Sequence, residues 1–238
     1  MENFLEHHGI KGQQWGVSHG PPYPLDKKTS VLIKKGTELH STMTSKKIKT
    51  DSSRNLYAYD SSDEADSNAY KGLLARFKQK HGEKNVFDHT FVTTEDLLLP
   101  SQTEKVNVFK DLYKNDPYVK DYMDETKQYY KDEFPSVLKY YEDMNKNTKD
   151  KIDIDYKLFV SGANMADHPV KQKFIDALKT KGYNAMIDDN DVLSGLSHNP
   201  LVIFSQASLE HVGKKGRKLT EEEIQKHYDK VDEAHKLD

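Results

Sequence analysis

Pro169-Val170-Lys171-Gln172-Lys173-Phe174-Ile175-Asp176-Ala177-Leu178-Lys179-Thr180-Lys181-Gly182, followed at once by Tyr183-Asn184-Ala185-Met186-Ile187, decides the fold class. Proline at a first helical position loses no hydrogen bond, and His168-Pro169 reads as the way into a helix, with Asp167 or His168 near its N-cap. Gly182 reads as the C-cap that closes the helix over Pro169 to Lys181. Tyr183–Ile187 is predicted as a strand, and a loop leads to a second apolar strand, Leu201–Phe204. Upstream, the run Tyr156–Val160 is predicted as a strand as well.

Working towards the N-terminus, Ser30–His40 reads as two short strands, or a strand and a turn, at Lys35-Gly36. Asn55–Tyr59 alternates large and small residues as a strand does, and Val86–Val92 shows a third strand pattern. Asp63 to Lys80 is a helix candidate with Ala69, Leu73 and Phe77 on one stripe. Glu104 to Asn147 is predicted as helix interrupted at Pro117 and Pro135. Its apolar positions (Val106, Phe109, Leu112, Tyr113; Val119, Tyr122, Met123; Val137, Leu138, Tyr141, Met144) recur at three and four, a core-facing seam rather than a base-stacking stripe. Gly213–Lys218 reads as a basic linker, and Thr220 with Glu223 as the capping box of a last helix bearing Ile224, Tyr228 and Val231. Strands outnumber what the helices need and no repeat is visible. The expected class is α+β: a mixed or antiparallel sheet core with a helical insertion at about 104–150 and an extended N-terminal arm. The expected organisation is an arm over 1–25, a body over 26–213, and a linker with C-terminal helix over 214–238.

The composition narrows the function classes. The 238 residues are 35% hydrophobic and 32% charged, so the core is modest, and 14 tyrosines supply apolar area that aliphatic residues do not. A net charge of -3 offers no bulk attraction to nucleic acid or acidic membranes, so neither is expected as a partner. The absence of cysteine removes disulfides and thiolate chemistry and suits a reducing compartment. Met1–Glu6 is acidic and lacks the apolar run of a secretory signal, and no segment has the length to span a bilayer. The expectation is a soluble protein that is not secreted through a signal peptide.

The N-terminal run His7-His8-Gly9-Ile10-Lys11-Gly12-Gln13-Gln14-Trp15-Gly16-Val17 follows no periodicity and holds the single tryptophan. Its glycines break helical spacing and weaken a strand, so it reads as a looped or bound-state element that leaves through the stiff Gly20-Pro21-Pro22-Tyr23-Pro24. It resembles a terminal segment of tailed-phage and prophage proteins from Gram-positive hosts, including head-associated ones. A lone tryptophan on such an arm is an efficient anchor, because it offers a large apolar area with few rotors to freeze. Ile10, Trp15 and Val17 are therefore the expected contacts to a protein partner; the alternative is a latch onto the chain's own body.

In the body, Leu39-His40-Ser41-Thr42, then Tyr57-Ala58-Tyr59-Asp60 with Ser67-Asn68-Ala69-Tyr70, resembles the order of elements in the ADP-ribosyltransferase fold. That resemblance implies that His40, Ser41, Tyr59 and Tyr70 line a site for NAD. It also implies a glutamate before Leu201-Val202-Ile203-Phe204, where this chain has Ser197-His198-Asn199-Pro200. An asparagine supplies no negative charge to an oxocarbenium-like transition state, so the site is expected to be degenerate. Asp188, Asp189 and Asp191 are the carboxylates nearest in sequence and the candidate substitutes. The expected role is thus a phage structural or virion-associated interaction protein with no cofactor. The alternative is an active NAD-dependent mono-ADP-ribosyltransferase that modifies a host protein.

Other constellations carry less. His7, His8 and His19 lack carboxylate or cysteine partners at ligand spacing, so no metal is expected. Asp188-Asp189-Asn190-Asp191 has its glycine out of register for a calcium loop and reads as a turn with side-chain capping. Ser161-Gly162 with His168 lacks a nucleophile elbow. Lys214, Lys215, Arg217 and Lys218 read as a solvated hinge.

Overall fold

The helices are set by their starts. Ser101 caps the first (α1, Gln102–Asn115), its hydroxyl accepting from the Glu104 N–H at 3.1 Å. Asp116 ends α1 and caps α2 (Pro117–Glu133), accepting from the backbone of Tyr118 and Val119, with Pro117 at the first helical position. Pro135 opens α3 (Pro135–Asn147) in the same way. The two prolines therefore cut the helical region where the sequence places the breaks. This computed structural model describes residues 17–18, 30–43, 48, 55–60, 85–147, 151, 153–162, 169–189, 201–218, 220 and 222. The helices expected over Asp63–Lys80 and after Thr220 lie essentially outside them.

The next element corrects the sequence reading. Tyr156–Val160 is not a strand but the middle of α4 (Ile154–Gly162). Asp153 accepts from the Tyr156 N–H at 2.9 Å and its carbonyl takes the Lys157 N–H, a helix start. A five-residue apolar run reads equally well as buried strand or buried helix, and the cap three residues upstream decides it. The helix α5 (Pro169–Thr180) follows as expected, and Gly182 stands at φ 91° behind it. A Cβ there meets nothing within 4 Å, so the penalty of a side chain is conformational alone. Gly182→Ala is expected to cost about 1–2 kcal/mol, read as a lower urea midpoint with unchanged slope.

Among the described residues there are nine strands: β1 (Val17–Ser18), β2 (Ser30–Ile33), β3 (Glu38–Met43), β4 (Leu56–Asp60), β5 (Asn85–Thr93), β6 (Leu97–Leu99), β7 (Ala185–Ile187), β8 (Leu201–Ile203) and β9 (Leu209–Lys218). One sheet runs β1-β2-β6, the other β7-β8-β4-β3-β5-β9. Among the described strands, the pairings are antiparallel except β1 with β2. The α+β class with a mixed-to-antiparallel core is therefore as expected. The two strands that meet at Gly36 (φ 87°) are not hairpin partners, however: β2 joins the small sheet and β3 the large one.

Two further departures concern the chain ends. Gly213–Lys218 is no linker but part of β9, paired with β5 along its length, so the boundary expected at 213/214 falls inside a strand. Glycine and lysine are poor strand formers, yet a lysine-rich strand at a sheet end is a common solution, and cross-strand pairing overrides propensity. Within the expected free arm, Val17 and Ser18 pair with Ser30 and Val31. The arm is thus tied to the body at that point.

The β7-β8-β4 side of the large sheet is covered on both faces. Tyr57, Met186 and Val202 share a row and pack with Phe109, Met123, Phe159 and Phe174 of the helices. The alternate residues Ala58, Ala185, Ile187, Leu201 and Ile203 pack instead against Ile33, Leu97 and Leu99 of the small sheet. Helices, large sheet and small sheet form three layers, which accounts for β7 and β8 being buried throughout. Among the described residues no helix is long and apolar enough to cross a membrane.

Candidate functional site

Beneath the helices, at the end of β7, four charged side chains are buried together. Lys105 of α1 is 2% exposed and donates to the Ile187 carbonyl at 3.2 Å and to Asp189 Oδ1. The other oxygen of Asp189 accepts from the Tyr156 hydroxyl at 2.6 Å. Lys171 of α5 donates to the Tyr57 hydroxyl at 2.5 Å and lies 3.7 Å from Asp188 Oδ2. Two ammonium groups thus balance two carboxylates in a place where an unpaired charge is prohibitively costly. A cavity of about 20 Å³, room for one water-sized molecule, lies beside them, lined by Tyr156, Lys171, Asp188 and Asp189 together with Phe159 and Phe174.

The environment acts most strongly on Tyr156. Its burial, and then the negative charges of Asp189 and Asp188, push its hydroxyl well above the ordinary tyrosine range. Because the folded value lies above the unfolded one, this group's contribution to stability is complete below about pH 10 and is lost as the pH rises past it. Between about pH 9 and 11 the melting temperature of the wild type is expected to fall more steeply than that of Tyr156→Phe. Parallel slopes in the two proteins rule the assignment out.

The expected site residues do not come together here. Asp188 and Asp189 belong to this cluster. His40 stands on β3, three strand spacings from β7 and so roughly 14 Å away across the sheet. Its Nε2 lies 3.0 Å from Glu38 Oε1 near the surface. Tyr59 is its direct neighbour on β4. Ser41 is 4% exposed and, one residue on from His40, lies on the opposite face, in register with His89. Adjacent strand residues do not line one cleft, so His40 and Ser41 do not share a pocket. Tyr70, Asp191, Ile10 and Trp15 lie outside the described residues, and Val17 is placed by its backbone in β1.

The sequence reading missed Lys105, Lys171, Tyr57 and Tyr156 as members of one cluster. A signal for both lysines exists: each precedes apolar residues at i+3, i+4 and i+7 (Val108, Phe109, Leu112 and Phe174, Ile175, Leu178). A lysine on the apolar stripe must find a buried anion. His89 was also missed; it is fully buried, and its Nδ1 lies 3.2 Å from Nε2 of His211 across β5 and β9. Among the described residues no three histidine or acidic side chains are placed to hold a metal ion. Comparison with protein-family models, curated proteins and solved structures finds no match for this chain.

Proposed function

We propose that this chain is a phage or prophage interaction protein, acting in the virion or the host cytoplasm. Residues 5–24 engage a protein partner through Ile10, Trp15 and Val17, and the body, a degenerate ADP-ribosyltransferase-like domain, serves as scaffold. One observation carries the scaffold reading: both oxygens of Asp189 are taken by Lys105 and Tyr156, Asp188 faces Lys171, and His40 stands three strands away. A carboxylate that stabilises a developing oxocarbenium ion has to face the substrate with its charge uncompensated. These two face lysines. The pairing of Val17 and Ser18 with β2 supports the arm reading, since it gives residues N-terminal to them a firm base.

Two experiments test the reading. Purified protein is incubated with NAD and the nicotinamide protons are followed by NMR, with His40→Ala as control. No turnover is expected, and nicotinamide release that disappears in the variant would replace the scaffold with an active mono-ADP-ribosyltransferase using NAD. Separately, wild type and Trp15→Ala are compared for co-purification with virion proteins from infected host cells. The variant is expected to lose its partner while keeping its circular dichroism spectrum. Retained capture, or loss of the fold, defeats the anchor.

A further inference from the structure

At the β5-β9 end of the large sheet two imidazole rings face each other. His89 of β5 is fully buried, and its Nδ1 lies 3.2 Å from Nε2 of His211, an exposed residue of β9. A break in register brings them together. Thr90 pairs with Gly213 but Phe91 with His211, so Val212 is the extra residue of a bulge. In unbroken register His211 would oppose Val92, on the face of the sheet away from His89. The bulge turns it to the face that His89 and Phe91 share, as bulges do when they re-aim a side chain. Phe91 then packs on both rings, its centroid 5.3 Å from that of His211 and 6.5 Å from that of His89. The imidazoles, inclined by 47°, are thus held by packing as well as by their strands.

Two ring nitrogens at this distance either share a proton or donate their lone pairs to one ion. The spacing suits the second use without rebuilding the strands. With Zn–N bonds of about 2.0–2.1 Å and tetrahedral angles, two ligand nitrogens stand about 3.3–3.4 Å apart. The surroundings select the kind of ion. Glu210 and Asp88 belong to the opposite face by their pairing with Val92 and Lys215, and Asp60, opposite Leu39, stands two strands from β5. On this face Ser41 of β3 and Lys214 of β9 are in register with His89. Calcium and magnesium require carboxylates and would meet a lysine instead. A pair of neutral imidazoles suits a borderline transition ion, which binds nitrogen by its lone pair. Because His211 is exposed, the ion reaches the pair from the β9 side.

We propose that His89 Nδ1 and His211 Nε2 bind a zinc ion between them, with water in the remaining positions, and that the ion clips β9 to β5 where the bulge interrupts the ladder. With two protein ligands the site is reversible, unlike a closed structural site of four. Each coordinated ring carries its proton on the other nitrogen, so the ring that donates in the direct pair changes tautomer when zinc enters. The site uses neither Trp15 nor a partner held by it, and it stands or falls separately from the function proposed above.

The test is titration of the full chain with zinc chloride, followed by calorimetry and by NMR of the imidazole nitrogens. Wild type is expected to bind zinc in the micromolar range and to melt at a higher temperature in zinc than in a chelator, since an ion that binds only the folded chain stabilises it. The nitrogens that shift are expected to be Nδ1 of His89 and Nε2 of His211. His211→Gln is expected to weaken binding by about tenfold or more and to keep the circular dichroism spectrum, because its side chain is exposed. The triple variant His7→Gln, His8→Gln, His19→Gln removes the competing N-terminal imidazoles and is expected to bind as wild type does. A wild type that takes up no zinc, binding undiminished in His211→Gln, or binding lost in the triple variant overturns the proposal.

Discussion

Lys105→Ala is expected to lower the stability of the fold by about 3–5 kcal/mol, a large share of what a domain of this size possesses. The reason is the anion left behind. Asp189 is 5% exposed and keeps the Tyr156 hydroxyl, but loses the ammonium paired with it, and the Ile187 carbonyl loses a donor as well. Removing both charges together, as Lys105→Met with Asp189→Leu, is expected to recover much of the loss, because the penalty lies in the unpaired ion rather than in a missing attraction. Urea denaturation of the two single variants and the pair measures the coupling. If Lys105→Ala unfolds within about 1 kcal/mol of wild type, the pair does not hold this corner together.

Phe109→Ala is expected to cost about 3–5 kcal/mol for a different reason, the cavity left in a packed interior. Phe109 is fully buried, with ring centroids of Phe159 at 4.9 Å, Tyr156 at 5.7 Å and Tyr113 at 5.8 Å. It is also the support of the charged cluster, since the Tyr156 ring it touches carries the hydroxyl that serves Asp189. Phe109→Ala and Tyr156→Phe are therefore expected to be non-additive in denaturation, the second change costing less once the first is made. Additive losses would show that ring packing and carboxylate position are independent.

These two effects lie where the sequence is half legible. The stripe at Val106, Phe109, Leu112 and Tyr113 follows the helical period and places Phe109 in the core without further information. Lys105 lies on the same stripe, but its anion is 84 residues away in the chain, at the end of a strand whose position depends on the whole sheet. The sequence points to Asp188 and Asp189 as unusual and suggests a site for them beside His40. Their actual neighbours, Lys105 and Lys171, are chosen by helices packing on β7 and β8. The strand reading of Tyr156–Val160 failed for a related reason: burial on all sides removes the alternation that distinguishes strand from helix, and a single Asp153 cap settles it. Gly213–Lys218 misled in the opposite sense, its composition arguing for a hinge while the pairing available on β5 made it a strand.

What the sequence determined by itself was local: the helix breaks at Pro117 and Pro135, the turn at Gly36, the cap at Gly182, the apolar strands at Ala185–Ile187 and Leu201–Ile203 and hence the α+β class. Each depends on backbone sterics or on a period read within a dozen residues. What only the tertiary structure decided was partnership. It sends β2 and β3 to different sheets, sets three strand spacings between His40 and β7, and joins two lysines to two aspartates. Those outcomes depend on which apolar faces bury one another and on where buried charges find their counterions, and neither is written at any one place along the chain.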